Sequence, residues 1–195
     1  MNDYRADIRA AVEVLRKGGV ILYPTDTVWG LGCDATNPEA VRRIFDIKQR
    51  NDAKALITLV GSVAALERTV EGIPEVAYQL IEYSERPLTI VYDRPAPQAR
   101  IAPELVADDG TIAVRLTAEE FSAQLCEAFR KPLVSTSANI SGQATPRVFS
   151  EIAPEIIAAA DYVCLSRRNE KASAEIKPSS IMRLSEDGTF KVIRP

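Results

Sequence analysis

Apolar residues Ile8, Ala11, Val12 and Leu15 recur at the spacing that lines one face of a helix, and Gly18-Gly19 supplies its stop. Val20-Ile21-Leu22-Tyr23 then predicts a buried strand, followed by the hydroxyl-rich stretch Pro24 to Gly32, whose Gly30 and Gly32 permit close backbone approach. Asn37-Pro38 is an N-cap followed by proline at the first helical position, and the helix through Val41, Ile44 and Phe45 delivers the chain to Lys48. Strands are predicted at Leu56 to Val60, Leu88 to Tyr92, Ile112 to Leu116 (with Arg115 as one outward cation), Leu133 to Ser137, Tyr162 to Leu165, Ser180 to Leu184 and Phe190 to Ile193. Helices are predicted over Ser62 to Thr69 and Pro74 to Ser84, and from a capping box at Thr117-Ala118-Glu119-Glu120 to Phe129. Short helices interrupted by Pro154 follow Thr145-Pro146, while Ser166 to Lys177 is a polar, exposed connection. The loop carrying Pro95, Pro97 and Pro103 is the longest irregular stretch and a candidate lid.

Helices and strands alternate without a regular βαβ rhythm, which predicts an α/β fold with a twisted, mixed β-sheet flanked by helices. At 195 residues the chain fits one domain, and 46% hydrophobic with 26% charged residues is an ordinary globular balance. A net charge of −3 gives no general pull toward nucleic acid or anionic membrane, so any binding of nucleotide or RNA needs a local basic pocket. Three scattered cysteines, Cys33, Cys126 and Cys164, build neither a disulfide framework nor a zinc site and fit a reducing cytoplasm. No run suggests a signal peptide or membrane span. Histidine is absent altogether. That removes the commonest general base and metal ligand, so any catalysis must rest on charge stabilisation and positioning.

Candidate chemistry gathers at three pairs of residues two apart, a spacing that in extended backbone aims both side chains the same way. In Lys48-Gln49-Arg50, two cations would reach one space and await phosphate or carboxylate, unless the segment is a solvated turn. Both cations are expected to be accessible. Ser137 and Asn139 offer a hydroxyl and an amide at a strand end, where a plain turn is the alternative; Thr25 and Thr27 form a third such pair. Arg115, on an apolar strand, needs either an internal carboxylate or a ligand. No phosphate-binding glycine loop or dinucleotide fingerprint is present, and the serine-rich stretch lacks a nucleophile elbow.

Taken together, Gly18-Gly19-Val20-Ile21-Leu22-Tyr23-Pro24-Thr25-Asp26-Thr27-Val28-Trp29-Gly30-Leu31-Gly32, the K-x-R of Lys48 to Arg50, the S-x-N of Ser137 to Asn139, Ser179-Ser180-Ile181 and the terminal Ile193-Arg194-Pro195 resemble the YrdC/TsaC family of threonylcarbamoyl-adenylate synthases. The resemblance covers the chain from about Gly18 to its end and implies a single YrdC-like domain over residues 1–195 with a basic concave pocket. It further implies synthesis of threonylcarbamoyl-AMP and pyrophosphate from L-threonine, bicarbonate and ATP, for threonylcarbamoyladenosine formation in tRNA. As in the family, Lys48, Arg50, Ser137 and Asn139 would form the essential tetrad. Arg50, Lys54, Thr111, Asn139, Arg147 and Arg194 would face ATP, and Thr27, Arg115, Ser137, Ser179 and Ser180 would hold threonine or its carbamate. Mg²⁺ would arrive with ATP rather than in a tightly held protein site. The partners implied are these substrates, tRNA or double-stranded RNA, and the proteins that carry the product to tRNA, in the cytoplasm and away from membrane. Asn51, Ala55 and Thr145-Pro146-Arg147 depart from the family pattern. A YciO-like paralogue, binding RNA or acting on another substrate, is the alternative.

Overall fold

The computed structural model describes residues 3–49, 56–171 and 178–195. In chain order the elements are α1 (Arg5–Arg16), β1 (Ile21–Tyr23), β2 (Gly30–Gly32), α2 (Pro38–Ile47), β3 (Ile57–Val60), α3 (Val63–Thr69), α4 (Glu75–Glu82), β4 (Leu88–Tyr92), β5 (Ile112–Leu116), α5 (Glu120–Phe129), β6 (Leu133–Ser137), α6 (Pro154–Ala159), β7 (Tyr162–Val163), β8 (Ser180–Leu184) and β9 (Phe190–Arg194). The strands form one mixed α/β sheet in the order β7-β1-β2-β6-β3-β5-β4-β8-β9. Within it β1/β7, β3/β5 and β4/β8 run parallel and the other neighbours antiparallel.

The helical periodicity at the start becomes α1, which buries Ile8, Ala11, Val12 and Leu15 and ends at Gly18 in the left-handed conformation (φ +78°). Asn37 caps α2 through its side-chain oxygen, which accepts from the Glu39 and Ala40 amides, with Pro38 at the first position. The larger apolar cluster packs these two helices and α5 around Tyr23, Leu31, Leu59 and Leu133, and the smaller one groups Val60, Leu66, Ile90, Tyr92 and Val114. No helix among the described residues is long and apolar enough to cross a membrane.

Four local expectations change. Gly30-Leu31-Gly32 is a strand, sandwiched between β1 and β6, where the pattern suggested only a hydroxyl-rich stretch. A Cβ on Gly32 would stand 2.6 Å from the Tyr23 ring and 2.9 Å from the Val134 carbonyl, so glycine lets the ring lie against this strand. Helix α5 is capped by Glu119, whose carboxylate accepts from the Phe121 and Ser122 amides, while Thr117 accepts from the Glu119 amide one step earlier. Pro154 begins α6 instead of interrupting a helix, since its missing N–H is not needed there. The proline-bearing loop is tied down by buried Ala96, Ala102 and Leu105, and residues 97–99 and 103–105 form 3-10 turns. Part of the expected Ser166 to Lys177 connection, residues 172–177, lies outside the described residues; Arg168, before it, is anchored to the Val163 and Cys164 carbonyls.

Candidate functional site

A cavity of about 490 Å³ opens over the middle of the sheet. Its wall runs from the Thr25–Gly30 turn across the end of β6 to Arg115 on β5, then to Ser179, just before β8, and Arg194 on β9, with Arg147 approaching from the turn after β6. Six of the residues that the resemblance assigns to ATP or threonine therefore meet on one wall: Thr27, Arg115, Ser137, Arg147, Ser179 and Arg194. They come from four stretches of the chain, around Thr27, around Arg115, from Ser137 to Arg147 and from Ser179 to Arg194, which the sheet order brings together.

Lys48 takes a different position from the one its spacing suggested. It is the C-cap of α2 with helical dihedrals, Gln49 follows with φ +49°, and the lysine is 3% exposed instead of accessible. Its ammonium donates to the carbonyls of Ser137 (2.6 Å) and Asn139 (2.7 Å), and its own carbonyl accepts from the Ser141 amide (2.9 Å). A helix end and the turn leaving β6 are thus locked together by one buried cation. Two charge-assisted hydrogen bonds compensate for the burial of that charge. Arg50 and Lys54 lie outside the described residues. Asn139 is also buried and spends its amide donors on the Ile140 and Gln143 carbonyls, so it shapes the turn, while its Oδ1 makes no hydrogen bond among the described residues.

Arg115 is buried, not outward, and answers its charge internally. Its Nη2 lies 3.0 Å from Asp26 Oδ1, and the two side chains are 4% and 12% exposed. Burial pushes the Asp26 carboxyl up from its usual range, against the pull of the Arg115 guanidinium. Among the described residues neither the Arg115 Nε hydrogen nor Asp26 Oδ1 has a hydrogen-bond partner, so the two groups meet as an ion pair. Asp26 was not singled out from the sequence, although an acid between two threonines in a turn facing a buried arginine is the partner that Arg115 required. Burial lowers the Arg194 pKa, and the like charge of Arg115 adds to it. Arg194 itself grips the Ser179 carbonyl through Nε (2.9 Å) and Nη2 (2.7 Å).

The hydroxyl groups are arranged by their neighbours. Thr25 donates to the Val28 carbonyl (2.6 Å) and accepts from the Thr27 amide (3.1 Å), so this pair closes a tight turn and leaves Thr27 on the cavity wall. Arg167 braces the turn from behind, donating to the Thr25 carbonyl (3.0 Å) while pairing with Glu119 (3.1 Å). Ser179 shares a hydrogen bond with Thr89 (3.0 Å). Thr111 stands at the far end of β5, off this wall, with its hydroxyl given to Asp109 (2.7 Å). Ser180 begins β8 opposite Leu88, with its amide on the Pro87 carbonyl, and is likewise off the wall. Among the described residues no group of three or more acidic, cysteine or histidine side chains could hold a metal ion. Guanidinium groups, hydroxyls and one already paired carboxylate suit an anionic ligand carrying phosphate and carboxylate, not a resident divalent cation.

Comparison with known proteins identifies the family. A family profile covering Sua5, YciO and YrdC, described as "Telomere recombination", matches residues 13–195. A threonylcarbamoyl-AMP synthase of Pseudoalteromonas translucida is 38% identical over 190 residues, covering 96% of this chain and 98% of its own. Among solved structures, P. abyssi Sua5 complexed with L-threonine superposes with a TM-score of 0.79 at 30% identity, covering 91% of this chain and 50% of the Sua5 chain. E. coli YciO gives a TM-score of 0.79 at 27% identity, covering 96% of this chain and 87% of its own. The present chain thus spans about half the length of that Sua5 protein.

Proposed function

The chain belongs to the Sua5/YciO/YrdC family, and from that premise we propose that it is an L-threonylcarbamoyladenylate synthase, a nucleotidyltransferase serving tRNA threonylcarbamoyladenosine formation. The observation that carries the reading is the convergence of Arg115, Arg147 and Arg194 with the Ser137 turn on one cavity, that turn being set by the buried Lys48 ammonium.

In this reading the threonine amine attacks bicarbonate, water leaves, and a carbamate results. A carbamate oxygen then attacks the α-phosphorus of ATP and pyrophosphate departs. Neither step demands a strong protein base once the reactants are held together, which suits a chain without histidine. Arg115 takes the amino-acid carboxylate on the side not occupied by Asp26, with Thr27, Ser137 and Ser179 lining the same end. Arg147 and Arg194 oppose the charge that develops on the phosphoryl oxygens, work that Arg50, Lys54 and Asn139 share in the family pattern. Mg²⁺ enters as part of the ATP substrate, since magnesium is commonly held by phosphates with few protein ligands.

The decisive assay measures pyrophosphate released from ATP by the purified protein with L-threonine and bicarbonate each omitted in turn, across a panel of amino acids. Release that requires both, with threonine preferred, is the expected result. Release that ignores threonine while ATP still binds would overturn the reading in favour of a YciO-like activity on another substrate.

A further inference from the structure

A second and larger cavity, of about 830 Å³, shares no lining residue with the first. Strand β3 connects them: Ile57 borders the proposed substrate cavity and Val60 the second, about 10 Å further along the strand. The second cavity thus opens beyond the carboxyl ends of the parallel pair β3 and β5, where ligands settle in sheets that carry parallel strands. Its volume lies within the range of small-molecule sites.

Chemically the cavity has an apolar floor and a cationic rim. Val60, Ala65, Cys126 and Pro132 supply apolar surface, and Arg68, Arg100, Arg130 and Lys131 surround it against the single carboxylate of Glu127. Lys131 is already paired with Asp34 (2.6 Å), but the side chains of Arg68, Arg100 and Arg130 make no hydrogen bond or ion pair among the described residues. All three are solvent-exposed and unpaired, ready to exchange water for an anion, and their clustering stands out in a chain whose net charge is −3.

Two of these arginines also occupy backbone that arginine does not favour. Arg100 (φ +49°) and Arg130 (φ +64°) are left-handed caps, positions that glycine fills at lower cost. Left-handed backbone costs a side-chain-bearing residue about 1–2 kcal/mol. The helix dipole returns roughly 0.3–1 kcal/mol to a cation at a helix C-terminus, so stability alone does not explain arginine at either place.

We infer that this cavity is a binding site for a nucleoside phosphate, with the base on the apolar floor and the phosphate among Arg68, Arg100 and Arg130. The inference does not depend on the chemistry assigned to the first cavity. It is tested by titrating the isotope-labelled full chain with AMP, with adenosine and with pyrophosphate, following each backbone amide by NMR. The Gly61, Ser62, Ala99 and Lys131 amides should shift saturably with AMP and respond more weakly to adenosine or pyrophosphate alone, because neither offers both halves of the ligand. In a triple variant, Arg68→Gln with Arg100→Gly and Arg130→Gly, that response should weaken tenfold or more, since charged hydrogen bonds are lost. The two glycines relax the backbone, so lost folding does not account for the change. Gly30 and Ser137 report the first cavity separately, and any shift there should be the same in the variant. Unmoved second-cavity amides, equal binding by wild type and triple variant, or a response to pyrophosphate as strong as that to AMP would each overturn the inference.

Discussion

A lysine that is 3% exposed must be satisfied where it stands, and the Lys48 ammonium is, by two carbonyls from the turn that carries Ser137. Its substitution should therefore damage both stability and activity, unlike that of a surface cation. Lys48→Met, which keeps the aliphatic stem, is expected to cost about 2–4 kcal/mol by leaving those carbonyls without donors. Urea denaturation would read the loss, and pyrophosphate release should remain abolished under conditions where the variant is fully folded. Arg115 and Asp26 pose the complementary case of two buried charges that face each other as an ion pair. Removing one partner of such a pair typically costs about 3–5 kcal/mol, because the other charge stays buried. Asp26→Asn should lie at or below the low end, since the amide keeps the shape of the carboxyl and a polar oxygen facing the Arg115 guanidinium. If Asp26 orients Arg115 toward the amino acid, the variant's KM should rise at least tenfold for L-threonine with much less change for ATP. An equal rise for both substrates would limit Asp26 to a structural role.

Elements with a clear period were legible from the sequence, and those set by tertiary contact were not. Helix α1, the Asn37 cap and the strands from Leu88 and Ile112 follow from apolar spacing and caps, which act over a few residues. The pairing of Lys48 with Arg50 was argued from an extended backbone, whereas Lys48 ends a helix and faces a turn 89 residues away in sequence. Thr27, Arg115, Ser137, Arg147, Ser179 and Arg194 could be proposed individually or by resemblance, but Asp26 and the second cavity depend on which strands become neighbours. Strand β2 went unread because Gly-Leu-Gly has poor strand propensity; its reason lies across the sheet, in the Tyr23 ring and the β6 backbone. Gly32→Ala tests this reason directly. The added methyl would overlap the ring and the Val134 carbonyl, so a loss of about 1–3 kcal/mol in urea unfolding is expected. Activity should fall as well, because β2 pairs with Thr136 and Ser137 at the cavity edge. Gly142→Ala is the control: its Cβ meets nothing within 4 Å, and only the left-handed backbone (φ +84°) resists it, at about 1 kcal/mol.

At the scale of the molecule, a buried carboxylate joins the first helix to the far edge of the sheet, beside the apolar packing of Tyr162 and Val163. Asp7 is buried on α1 and accepts hydrogen bonds from the Tyr162 hydroxyl (2.7 Å) and the amides of Leu165 (3.0 Å) and Ser166 (2.6 Å). Burial alone would raise its pKa, but the hydrogen bonds from Ser166, Leu165 and Tyr162 together outweigh burial and hold it below the ordinary 3.8. Asp161, at the same sheet edge, is lowered by its hydrogen bonds to Arg43, the largest influence, and to the Val20 amide. A carboxyl whose folded pKa is depressed contributes stability above its unfolded value and loses it as pH falls through the folded value. The α1–β7 connection should therefore be at full strength at neutral pH and fail below about pH 4. Asp26, whose pKa is raised, has the opposite sign: the folded state favours its protonated form, so it offsets part of this loss as the pH falls. Asp7→Asn separates the contributions. It should cost about 1–2 kcal/mol at pH 7, because an amide nitrogen then confronts a backbone N–H donor. The gap between wild type and variant in urea midpoint should narrow as the pH falls below the ordinary carboxylate value and the wild-type carboxylate takes up its proton. A gap that stays constant with pH would mean that Asp7 acts through its shape alone and not through its charge.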